Sequence, residues 1–261
     1  MNSDYVTFAK RIALQAGDIM LEYFKVGVEH SEKHDKTIVT IADEKINQLV
    51  IDEVEKTYPE HSVFGEEASS DKQSEYAWVC DPIDGTVPFA KGLPVAVFSL
   101  ALVHDGVPVL GVVYDPFMKR LYSAAKGGGA FLNETPIHVS DKALNRQATI
   151  NIEWWPEAKY DVDTAMHDLS LQTAAYVLHL GSITHAACMV ASGQYEAALF
   201  PAVEPTKNVD IAAVKVIVEE AGGKVSDISG NEQRYDQEIN GAIVSNGVVH
   251  TELVDTLKEY L

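Results

Sequence analysis

From Ser3 to Lys25 the apolar residues Phe8, Ile12, Ala16, Ile19, Met20 and Tyr23 recur at helical spacing. The same period predicts a second helix from Ile41 to Thr57, with Ile46, Leu49, Val50 and Val54 on one face and Pro59 as its stop. The period then changes. Ser62–Phe64 and Ala77–Cys80 read as short strands, and Val95–Val103 with Pro108–Tyr114 reads as a hairpin around Asp105-Gly106, a pair suited to positive φ. Strands at Lys119–Ala124 and Ala130–Leu132 follow across the turn Gly127-Gly128-Gly129.

Beyond Ser140 strands and helices alternate. Strands are expected at Ala148–Ile152, Ala175–Leu178, Ala197–Phe200, Lys224–Val225 and Ala242–Ser245. Helices are expected at Val162–Thr173, Ser182–Ser192, Val209–Ala221 and Val248–Tyr260. Two helices and a hairpin-rich sheet followed by a β/α half imply a mixed α/β protein of layered sheets and helices. Residues 1–140 would form one subdomain and residues 141–261 the other.

Composition narrows the function. The apolar run Val95–Val103 is too short to span a bilayer, which takes roughly 20 residues. No apolar signal core marks the start of the chain, so a soluble, cytoplasmic protein without a membrane partner is expected. Cys80 and Cys188 are the only cysteines, too few for a disulfide framework or thiolate metal site, and both read as small buried hydrophobes. The formal charge of −19 excludes binding of a nucleic acid polymer through its phosphates. So acidic a chain handles a small phosphate only if bound cations reverse the local field.

Acidic residues sit where strands end. In Trp78-Val79-Cys80-Asp81-Pro82-Ile83-Asp84-Gly85-Thr86 a buried strand is expected to stop at Asp81, and Asp84 returns to the same side. Two carboxylates so close call for a cation, and hard oxygen ligands suit Mg²⁺. The amides of Gly85 and Thr86 would meet a phosphate at a helix start. Read alone, Asp-Pro and Asp-Gly are also ordinary turn chemistry. Glu66-Glu67 follows Phe64-Gly65, Asp43 lies in the first turn of a helix, and Asp210 stands where a helix N-cap is expected.

Taken together these segments resemble the inositol monophosphatase family of Mg²⁺-dependent, lithium-sensitive phosphatases. The resemblance rests on Val39-Thr40…Asp43, Gly65-Glu66-Glu67, Asp81-Pro82-Ile83-Asp84-Gly85-Thr86, and Asp210-Ile211-Ala212-Ala213 through Gly222-Gly223. Gly111–Pro116, Gly127–Asn133 and Gly181-Ser182 support it. It implies a layered αβαβα sandwich of the inositol monophosphatase/fructose-1,6-bisphosphatase type, a homodimer, and two or three Mg²⁺ ions. Glu66, Asp81 and the Ile83 carbonyl would hold the first ion; Asp81, Asp84 and Asp210 the second; Glu66 would share a weaker third. Glu67 would orient ligands, and Thr86 hydrogen-bonded to Asp43 would activate the attacking water, with no phosphoenzyme. Asp84, Gly85, Thr86, Gly181 and Ser182 would contact the phosphate or substrate.

The chain also departs from the family pattern. Gly85-Thr86-Val87-Pro88-Phe89 stands for the usual Gly-Thr-x-Asn-Phe, Val209 replaces a tryptophan before Asp210, and Leu178-His179-Leu180-Gly181 lacks the arginine that the family often carries shortly before Gly-Ser for a dimer contact. The segment Phe200–Val209 is longer than the animal inositol phosphatase pattern and leaves no acid aligned with the one that touches inositol hydroxyls. Glu204 is a candidate substitute, and Lys207 a candidate contact for a second anionic group. Inositol monophosphate is the expected substrate. Histidinol phosphate, fructose 1,6-bisphosphate and 3′-phosphoadenosine nucleotides are the alternatives, and a metal-dependent regulatory protein on the same fold is the non-enzyme alternative.

Overall fold

The computed structural model describes residues 3–25, 28, 30–32, 38–155, 158–201 and 208–261. The chain begins with α1 (Ser3–Tyr23), β1 (His30–Glu32), β2 (Ile38–Thr40), α2 (Ile41–Thr57), β3 (Ser62–Gly65) and β4 (Ser69–Ser70). It continues through β5 (Tyr76–Asp84), α3 (Thr86–Ala90), β6 (Val97–His104), β7 (Val107–Asp115), β8 (Arg120–Ala125), β9 (Ala130–Leu132) and β10 (Thr135–Pro136). Next come β11 (Thr149–Ile152), α4 (Val162–Thr173), β12 (Tyr176–Leu178), α5 (Ile183–Ala191) and β13 (Ala197–Phe200). The last elements are α6 (Val209–Glu220), β14 (Lys224–Ser226), β15 (Ala242–Ser245) and α7 (His250–Leu257).

Helix α1 buries Phe8, Ile12, Ala16 and Met20, and α2 lays Ile46, Val50 and Val54 beside them, each a stripe at helical spacing. Together they cover one face of an eight-stranded sheet ordered β10-β9-β8-β7-β6-β5-β3-β4, from which Trp78, Leu100, Leu102 and Val112 meet them. The opposite face, with Val79, Val97, Ala101 and Val113, packs on α5 and α6. Every residue of α5 is buried, and so is every residue from Ile211 to Val218 of α6, as befits helices enclosed between two sheets. The second sheet, ordered β12-β11-β13-β15-β14, closes the far side of that layer, and α4 and α7 cover its outer face through Ile150, Ile152, Met166 and Leu253. The result is the expected layered αβαβα sandwich.

Several boundaries differ from expectation for local reasons. Strand β5 does not stop at Asp81 but runs to Asp84, with its pairing to β6 shifting register between those residues. Pro82 offers no N–H to the ladder, while Asp81 Oδ1 accepts the Ile83 N–H at 2.9 Å, which stabilises the bulge. Helix α7 starts at His250 rather than Val248, because Asn246 Oδ1 accepts the Val249 N–H at 3.2 Å and holds the entering turn. The hairpin turn stands where expected, with Asp105 and Gly106 at φ 50° and 78°. The β1–β2 pairing was not foreseen, since three-residue strands carry too little alternation to register. Among the described residues no helix is long and apolar enough to cross a membrane. Cys80 and Cys188 are buried free thiols, each pushed well above the usual thiol range by burial.

Candidate active site

In the second sheet β11 pairs in parallel with β12 on one side and β13 on the other. Strand β11 is followed by α4 on the outer face of this sheet and β12 by α5 on its inner face, so the carboxyl ends of these two neighbouring strands lie where the connections diverge. In the first sheet β3 and β5 are also parallel, with Gly65 opposite Cys80. Their carboxyl ends deliver Glu66 and Asp81 side by side, and the Glu66 N–H donates to the Cys80 carbonyl at 3.1 Å.

Asp81, Asp84 and Asp210 each present an oxygen such that all three lie within 4.8 Å of one another. Asp81 is 2% exposed. Its carboxyl is driven well above the usual range, first by burial and then by Glu66, Asp210 and Asp84, with a hydrogen bond to Asp210 adding to the effect. Asp84 is raised to about 6 by burial, less than it would be without two donors: Ser182 Oγ and the Thr184 N–H each reach its Oδ2 at 2.6 Å. Those donors stand at the N-terminus of α5, where Ser182 is the N-cap and accepts the His185 N–H at 3.2 Å. Asp210 is not a helix N-cap. Asn208 holds that position and Asp210 sits in the first turn of α6, where its carbonyl accepts the Thr184 hydroxyl at 2.7 Å.

Asp43 lies in the first turn of α2 and is fully buried. Its Oδ2 accepts the Thr40 N–H at 2.9 Å and the Thr40 hydroxyl at 2.5 Å. Burial, helped by Glu66 and Glu67 and opposed by Thr40, raises its carboxyl to about 7. Thr86 Oγ1 lies 2.9 Å from the Ile83 carbonyl and 3.4 Å from Asp43 Oδ1, so its single proton serves the carbonyl more closely than the acid. Gly85 caps α3 at φ 92°, and a Cβ there would sit 2.6 Å from the Val95 carbonyl oxygen, so no other residue fits without displacement.

Sequence reasoning missed three polar residues around this cluster. Asn47 is buried in α2; its Oδ1 accepts the Glu67 N–H at 3.2 Å and its Nδ2 donates to the Ala68 carbonyl at 3.0 Å, pinning the Glu66-Glu67 turn. Asn151 and Glu153 follow one another on alternate positions at the end of β11, and burial raises the Glu153 carboxyl to about 7. Polar residues breaking an apolar strand at a spacing of two were the available signal. Glu204 and Lys207 lie outside the described residues. A second set, Glu75, His104 and Asp105, closes to the same 4.8 Å at the surface, away from these groups.

The family model described as "Inositol monophosphatase family" matches residues 1–261. An inositol monophosphatase of Mesembryanthemum crystallinum is 31% identical, covering 98% of this chain and 97% of that protein. A histidinol-phosphatase of Chlorobaculum parvum is 33% identical, over 94% of this chain and 93% of its own. Among solved structures, a Thermotoga maritima IMPase superposes with a TM-score of 0.87 at 30% identity, covering 98% of this chain and 97% of that one.

Proposed function

Because the chain belongs to the inositol monophosphatase family, we propose that it hydrolyses inositol monophosphate and related small phosphate monoesters with Mg²⁺ held by Asp81, Asp84, Asp210 and Glu66. That it is a phosphatase follows from the family and its relatives; the ion and the preferred ester are our reading. The observation that carries it is the convergence of three carboxylates within 4.8 Å. The donor set is made of hard oxygens alone, as Mg²⁺ prefers. Carboxylates so placed coexist without a cation only by taking up protons, which is the upward displacement of Asp81 and Asp84. When bound, the ion would supply positive charge to the phosphoryl group and acidify a water.

The side chains divide the remaining tasks. Thr86, turning its proton from the Ile83 carbonyl to Asp43 Oδ1, frees a lone pair to accept the proton of an attacking water. Asp43, whose carboxyl sits near neutrality, receives that proton without a large penalty. Glu67 stays beside Glu66 because Asn47 holds its backbone. Gly85 and Thr86 are assigned to the phosphoryl oxygens, which every candidate ester shares, whereas Gly181 and Ser182, named with them from the sequence, direct their donors to Glu153 and Asp84. Choice among alcohols therefore falls to the segment from Phe200 to Val209, which joins the carboxyl end of β13 to Asp210. Within it Glu204 and Lys207 are our candidates for contacts with the leaving group.

Phosphate release from inositol 1-phosphate, fructose 1,6-bisphosphate and histidinol phosphate, each with Mg²⁺ or with a chelator, tests the reading. We expect inositol 1-phosphate to be cleaved, though not exclusively, and cleavage to stop in the chelator. No release from inositol 1-phosphate at saturating Mg²⁺, or an undiminished rate in the chelator, would overturn it.

A further inference from the structure

The turn from Leu180 to Ser182 joins β12 to α5, carries Ser182, whose Oγ donates to Asp84, and leads directly into the Thr184 N–H, the second donor to that acid. It has three anchors. Gly181 adopts φ 83°, and a Cβ there would stand 2.9 Å from Pro88 Cγ, so the turn lies against α3. Asn151, fully buried, accepts the Leu180 N–H through Oδ1 at 2.9 Å. Glu153 Oε1 accepts the Gly181 N–H at 3.1 Å and the Asn151 Nδ2 at 2.8 Å.

We propose that Asn151 and Glu153 are positioning residues: from the end of β11 they clamp the Leu180–Ser182 turn and so aim Ser182 Oγ and the Thr184 N–H at Asp84. The proposal rests on the reading of Asp84 as part of the active site. Its geometry explains the residue types. Asn151 uses its carbonyl for one turn amide and its NH₂ for Glu153, a division no ionised acid could make. Glu153 receives donors from Asn151 and from the backbone of Gly181 and Ser182, so acceptor oxygens are matched to them, while burial and the neighbouring Asp84 charge push its carboxyl up. A glutamine there would keep one acceptor oxygen but turn an NH₂ toward a backbone N–H. The clamp belongs to the second sheet, and the acid it aims is the last residue of β5 in the first.

Glu153→Ala, Glu153→Gln and Asn151→Ala test this, each compared with the wild-type protein for melting temperature. In the metal-free protein, hydrogen exchange by NMR should show the Thr184 amide protected in wild type and unprotected in Glu153→Ala, with the amides of Cys188 to Ala191 unchanged. In the Mg²⁺-loaded enzyme Glu153→Ala and Asn151→Ala should lower kcat, and raise the Mg²⁺ needed for half-maximal rate, by roughly 10- to 100-fold. Substrate KM should barely move, and Glu153→Gln should fall between alanine and wild type. A folded Glu153→Ala protein that keeps Thr184 protection overturns the proposal, whether its activity is normal or is lost through a raised KM. If the wild-type protein releases no phosphate, the proposed function fails, and the exchange measurement still decides the clamp.

Discussion

Replacing Asp81 with asparagine should destroy activity and yet make the metal-free protein more stable. Asp81 is 2% exposed and surrounded by Glu66, Asp84 and Asp210, so its ionised form is held in the fold at a cost. Asp84 gives the scale: a carboxyl moved from 3.8 to about 6 represents about 3 kcal/mol at neutral pH, as each unit is about 1.36 kcal/mol. Asparagine keeps the acceptor for the Ile83 N–H and offers an NH₂ toward Asp210, so neither local bond is lost. With partial relief of about 1–3 kcal/mol, the metal-free melting temperature should rise by roughly 2 to 8 °C. Mg²⁺ should raise the melting temperature of the wild type and move the variant much less, because on the proposed reading the ion would compensate the acids. Turnover at saturating Mg²⁺ should drop about 10³-fold or more. Calorimetry with and without Mg²⁺, paired with a phosphate-release assay, reads all three. An Asp81→Asn protein that melts below wild type without metal, or one that turns over normally, would refute the reasoning.

Thr86→Ala should lower kcat far more than it changes KM, since the hydroxyl between Ile83 and Asp43 is proposed to act in the transition state; steady-state kinetics showing only a KM change would make Thr86 a binding residue. Gly85→Ala, at φ 92° with the Val95 carbonyl in the way, should cost about 1–3 kcal/mol in urea unfolding. His250, buried between Ser245 and Ser226, titrates near 4 instead of 6.5, principally because of burial. The unfolded chain therefore binds the extra proton first, and stability should fall as pH drops from 6.5 toward 4; a His250→Asn variant should show a shallower loss across that window in pH-dependent denaturation.

What could be read from the chain was governed by periodicity and by motif. Helix α2 at Ile41–Thr57 and α4 at Val162–Thr173 stand where the pattern put them because each buries a face whose period is long enough to register, and β13 at Ala197–Phe200 does so as an apolar run buried throughout. The order of strands was not legible: the reversal at β11 depends on pairings between residues far apart in sequence. In the site, Asp81 and Asp84 announced themselves by spacing. Asn47, Asn151 and Glu153 each hold a backbone amide brought near by the fold, and such partners leave little trace in a linear pattern. Asp210 was found but misplaced at the helix cap, since cap and first turn prefer the same residue types.

The three clustered acids are not contributed by one stretch of chain. Asp81 and Asp84 come from β5, Asp210 from α6, and Ser140 between them is fastened by Glu196 and Asn246, at 3.0 Å each. A gene divided after Ser140 would give one fragment with two of the acids and another with the third, together with the Ser182 and Thr184 donors. Neither fragment would hold a complete cluster, so hydrolysis would appear only when they joined. The molecule thus has the makings of a split reporter, in which phosphate release counts reunited halves and a cation held across Asp81, Asp84 and Asp210 would set how tightly they close.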